Sequence, residues 1–170
     1  MSEGELSIAF VAKNPAATAL AVEELERRVG TLPAEYREFL LSADGGQPEP
    51  NVDQEHQECG VSEFFSIQAA IEQRDKLRGR VPSDFLPIAS AAGGNLVCLR
   101  IRGEDVGSVY FWDHELEPAS GESVVGMNMY RIAASVGEFL AHLRPLRSDE
   151  LPKSEVIEAW IDPEFLSRQS

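Results

Sequence analysis

Cysteine is scarce: two in 170 residues, Cys59 and Cys98, which excludes a disulfide-built scaffold. Long apolar runs are missing too. The stretch from Leu6 to Ala12 is too short to span a bilayer, and Glu3 and Glu5 stand where a secretory leader needs lysine or arginine. A reducing, cytoplasmic location is therefore the expectation. No repeat, low-complexity tract or Pro/Gly/Ser linker divides the chain. This predicts one domain over residues 1–146 and a 147–170 tail docked on it through groups such as Leu151, Trp160 and Phe165.

Basic residues are outnumbered, 15 against 29 acids, for a formal charge of −14. Eight acids lie between Arg37 and Arg74 (Glu38, Asp44, Glu49, Asp53, Glu55, Glu58, Glu63, Glu72) and six between Arg102 and Arg131 (Glu104, Asp105, Asp113, Glu115, Glu117, Glu122), with no base in either stretch. These fourteen carboxylates equal the whole excess. Phosphate binding needs clustered cations, so nucleic acid and anionic membrane are poor partners. If the two stretches meet in the fold, they form a negative face suited to a basic protein partner. A plain solubility coat is the competing reading.

Apolar periodicity predicts a helix from Asn14-Pro15 to Gly30, through Ala17, Leu20, Ala21, Leu25 and Val29. A second helix starts at Leu32-Pro33 and stops at Gly45-Gly46. Residues 46–60 then read as a long acidic loop. Val61 to Ile67 forms a short strand and Gln68 to Arg78 a helix. Phe85 to Ala89, Asn95 to Arg102 and Gly107 to Trp112 are strands, the last two an antiparallel hairpin. Ser135 and Glu138 have capping-box spacing and open a last helix. The fold class is α+β, an antiparallel sheet covered on one face by helices.

Asp113-His114-Glu115 is the most suggestive catalytic group, since an imidazole beside carboxylates can act as a base near neutral pH. Neighbours on a strand point to opposite faces, however, and no nucleophile elbow accompanies them. A structural role fits the trio better. His56, Glu58 and Cys59 match no tetrahedral zinc spacing, and Gly93-Gly94-Asn95 leads into a strand rather than the helix a dinucleotide fingerprint requires. No metal or cofactor is expected. Arg74, Lys76, Arg78 and Arg80 read as a helix end rather than a phosphate site.

Three stretches together resemble the SUKH superfamily, which includes the fungal cell-wall-assembly regulators of the Smi/Knr type. They are residues 25–46, 86–99 and 107–115, with Phe139-Leu140 as the hydrophobic pair of the closing helix. The family's Leu-Pro falls on Leu32 and Pro33, its Gly-Gly on Gly45 and Gly46, its Gly-Asn on Gly94 and Asn95, and its Trp-Asp-His on Trp112, Asp113 and His114. The resemblance covers residues 22–143, which it implies are the core of the domain, and Asp44 stands where the family usually has Asn. The resemblance implies a non-catalytic α+β binding domain, and many bacterial members resemble immunity proteins that neutralise nuclease or deaminase toxins. The motif residues would then be scaffold. Together with the charge, this makes Glu49, Asp53, Glu55, Glu58, Asp113, Glu115 and Glu117 the candidate contacts for a basic toxin domain. Two rival readings are an intracellular regulatory module of the Smi/Knr kind and a hydrolase using His114 with Asp113.

Overall fold

The computed structural model describes residues 8–54, 56 and 59–145. The expected 147–170 tail lies outside them. An N-terminal strand β1 (Phe10–Lys13) precedes two helices, α1 (Ala19–Val29) and α2 (Ala34–Ser42). The short strands β2 (Gly46–Pro48) and β3 (Val52–Asp53) follow, then β4 (Val61–Phe64) and α3 (Ile67–Lys76). Next come β5 (Phe85–Ala91), β6 (Leu96–Arg100), β7 (Val109–Trp112) and β8 (Met129–Ala133). Helix α4 (Val136–His142) and β9 (Leu143–Arg144) complete the described residues. Seven strands form one antiparallel sheet in the order β1-β2-β4-β5-β6-β7-β8, and β3 pairs with β9. The fold is α+β, as the sequence predicts.

Local chemistry sets the boundaries. Helix α1 begins four residues later than the Asn14-Pro15 signal suggests, because the Thr18 hydroxyl accepts from the Ala21 amide. Asn14 instead donates its side-chain amide to the Asp44 carbonyl. Gly30, at φ 98°, ends the helix where predicted. Ser135 caps α4 by accepting from the Glu138 amide at 3.1 Å, and the Glu138 carboxylate reaches back to the Ala134 amide, a variant of the predicted capping box. Residues 46–60 are not simply a loop: β2 and β3 lie within them, too short to show a period-2 pattern.

Cross-strand partners share a face, so Phe64, Ala89, Val97 and Phe111 point to one side of the sheet. Phe64 meets Phe39 of α2 at 5.0 Å between ring centroids and Phe139 of α4 at 6.4 Å. This aromatic chain docks two helices on that side, and Glu35 of α2 ties them by accepting from the Gly137 amide at 2.8 Å. Leu96, Cys98, Tyr110 and Trp112 on the opposite side are also buried. Alternation along β6 and β7 is correspondingly weak, since both faces are covered.

Gly45 shows why the Gly-Gly pair is needed after α2. Its φ is +82°, and an added Cβ would lie 2.4 Å from the Phe64 carbonyl oxygen. Next to it, the Asp44 carboxylate accepts from the Ile67 amide at 2.8 Å. That contact joins the end of α2 to the start of α3.

Candidate functional site

Register places Val61, Ala91, Leu96, Trp112 and Met129 at one end of the sheet. The 49–60 connection, the Ala92–Gly94 turn and the 113–128 connection leave from that end, so both acidic stretches contribute a segment there. Three strand spacings, about 14 Å, separate β4, which the 49–60 connection enters, from β7, which the 113–128 connection leaves. Glu104 and Asp105 lie at the opposite end, in the β6–β7 turn, where Arg100 pairs with Asp105 at 2.8 Å. The second acidic stretch is thus divided between the two ends of the sheet, and its 113–128 part shares an end with the 49–60 connection.

Individual carboxylates differ sharply in environment. Glu49 and Glu115 are exposed. Asp53 is fully buried, accepts from the His56 amide at 3.1 Å and lies 3.6 Å from the His56 ring. It holds its own loop and is not a surface contact, contrary to expectation. Asp113 accepts from the Glu115 amide at 2.9 Å and so caps the short helix His114–Leu116. Glu117 is engaged by Arg80, whose guanidinium reaches both carboxylate oxygens at 3.1 to 3.3 Å. Glu55 and Glu58 lie outside the described residues.

The Gly-Asn and Trp-Asp-His residues converge around Trp112. Asn95 accepts from the His114 amide at 3.2 Å, and its Oδ1 lies 2.7 Å from His114 Nδ1. Gly94, at φ +85°, lets the imidazole approach: an added Cβ would lie 3.3 Å from Cε1. Gly-Asn and Trp-Asp-His therefore form one structural unit linking two turns across the sheet end. Asp113 holds the Glu115 amide, whereas the His114 ring meets the side chain of Asn95. Leu32 is buried with its amide on Glu26 Oε1, and Pro33 immediately precedes α2, both as scaffold residues.

Three residues outside the motifs, Arg80, Ser123 and Asn128, complete the unit. The Arg80 guanidinium lies 5.3 Å from the Trp112 ring centroid, so this member of the basic cluster is not part of a helix end. Trp112 Nε1 donates to Ser123 at 2.7 Å. Asn128, wholly buried, accepts from the Val124 amide at 3.0 Å and donates to Ser123 at 3.0 Å and to the Asp113 carbonyl at 3.3 Å. A cleft of about 260 Å³ opens beside this unit between α3, Arg80, Trp112 and His114. Among the described residues, no group of three His, Cys, Asp or Glu side chains is arranged to hold a metal ion. None of the helices among them is long and apolar enough to cross a membrane.

This architecture, with its Gly-Asn and Trp-Asp-His unit, defines a SUKH-type domain. The chain belongs to the SMI1 / KNR4 family (SUKH-1), whose profile it matches over residues 16–142. It is also similar to the SPbeta prophage-derived uncharacterized protein YokK of Bacillus subtilis (strain 168), with 30% identity over 159 residues, covering 76% of this chain and 77% of the relative.

Proposed function

We propose that the chain is a non-catalytic binding protein of the immunity type, which neutralises a basic toxin domain, a nuclease or deaminase, in the cytoplasm. The observation that carries this reading is the 113–128 connection, which bears four carboxylates and no base and leaves Glu115 and Glu122 exposed. Such a surface attracts a cationic partner and repels phosphate. A nuclease must present cations to its substrate, so an acidic protein surface can occupy the same groups. Family membership and a prophage-derived relative support the same reading. The ties of Asp113 to the Glu115 amide and of His114 to Asn95 favour scaffold over acid–base chemistry for the one histidine-carboxylate motif.

The test is co-expression with a cationic toxin domain encoded beside the gene, scoring growth and complex formation at low and high salt. Growth rescue, with affinity falling at least ~10-fold as salt rises through the physiological range, is the expected result. Salt-insensitive binding, unchanged by Glu115→Lys with Glu122→Lys, would refute the electrostatic part.

A further inference from the structure

The turn after Ser123 inverts the usual partition of side chains. Ser123 and Asn128 are buried, at 4% and 0% exposure, while Val124, Val125 and Met127 between them are 45%, 48% and 58% exposed. Leu116, on the same connection, is 56% exposed. A turn selected only to join β7 to β8 would put its apolar groups inward and its polar ones in water. Here the polar pair spends its hydrogen bonds inside the fold: Asn128 holds the Val124 amide and the Asp113 carbonyl, and Ser123 takes the Trp112 indole. The tip is further closed by the Met127 amide on the Val124 carbonyl at 3.0 Å. Its apolar groups are presented by a frame already ordered before binding, which lowers the entropy cost of association.

We propose that Val124, Val125 and Met127, with Leu116 and the flanking Glu115 and Glu122, form a docking surface for a protein partner that offers an apolar centre rimmed by lysine or arginine. Charge selects this occupant. A second copy would bring a −14 chain against its own carboxylates, and residues 146–170 carry six acids against three bases. Both are repelled by the rim, whereas a cationic rim is attracted. The inference rests on the binding reading above and adds where the partner sits and what it looks like.

Phage-displayed random dodecapeptides, selected against the full chain, read the chemistry of the surface without the toxin. Selected peptides should pair apolar residues with Lys or Arg and lose at least ~10-fold in affinity on Val125→Asp with Met127→Asp, while the melting temperature holds. In the free chain, dilute peroxide should oxidise Met127 at least ~10-fold faster than the buried Met129. Three results would overturn the proposal: peptides without cationic enrichment, affinity unchanged in the double variant, or a Met127 as protected as Met129 because the tail or a second copy covers it. Persistence of the peptide pattern where toxin rescue fails would uphold this surface and sink the immunity role alone.

Discussion

Replacing Asn128 by Ala should be far more damaging than truncating an exposed side chain of the turn it supports. The side chain makes three hydrogen bonds in a buried setting, to the Val124 amide, the Asp113 carbonyl and the Ser123 hydroxyl. Each is worth about 1 to 1.5 kcal/mol net, so the loss is about 3 to 4.5 kcal/mol, before any cavity cost for the missing carboxamide. Water entering the vacated space would recover part of it. Met127→Ala, by contrast, removes an exposed side chain and should stay within about 0.5 kcal/mol. Urea unfolding followed by circular dichroism gives both numbers, and an unchanged slope would place the effect in stability rather than in the unfolded ensemble. Near-ultraviolet dichroism adds a local readout, because Trp112 donates to Ser123 in the same network. A loss below about 1 kcal/mol for Asn128→Ala, or equal losses for both variants, would refute the claim that buried polar groups hold this turn.

Three further outcomes follow from other parts of the molecule. Gly45→Ala should cost about 3 kcal/mol or more and Gly79→Ala about 1: φ is +82° and +83°, but an added Cβ meets the Phe64 carbonyl at 2.4 Å in the first and nothing within 4 Å in the second. Equal costs in thermal melts would show that the close approach is irrelevant. Tyr36→Phe should keep or raise stability, since the Tyr36 hydroxyl is buried with no hydrogen-bond partner among the described residues; a marked loss in the same melts would contradict this. At the far end of the sheet, partial burial alone would raise the Asp105 carboxyl, but the hydrogen bond from Tyr110 and the Arg100 guanidinium outweigh it and hold it below the ordinary carboxylate range. A depressed folded value makes this contribution full above about pH 4 and lost as pH falls through it, so the gap in melting temperature between wild type and Asp105→Asn should close on acidification. A gap that is constant or widens toward low pH would reverse the sign.

Legibility in the sequence followed the range of the interactions concerned. Ser135 and Glu138 were readable because a capping box is closed within four residues, and Gly30 because a helix stop is local. The β6–β7 hairpin was readable from its spacing and turn. Strands β1, β2, β8 and β9 were not, since each owes its conformation to a partner strand elsewhere and is too short or irregular to alternate clearly. The start of α1 was misplaced because Thr18 and Asn14 are both competent caps, and only the tertiary bond from Asn14 to Asp44 decides between them.

Motif residues of the candidate site were legible as a resemblance, but their meeting was not. Asn95 and His114 are 19 positions apart and touch because the Ala92–Gly94 turn and the 113–128 connection leave the same end of the sheet. Asn128 was invisible because a lone asparagine in an unpatterned stretch usually faces water. Asp53 and Glu117 were misjudged for a common reason. Counting charges along the chain cannot show that burial has removed one carboxylate from the surface and that Arg80, 37 positions away, has paired the other.

The most direct test of the account is toxin protection by the double variant Val125→Asp with Met127→Asp, expressed beside a cationic toxin domain against which co-expression of the wild-type chain has first been shown to restore growth. Complete loss of protection by a variant that melts at the wild-type temperature is the predicted result. Full protection by that stable variant would contradict the assignment of partner binding to the β7–β8 connection.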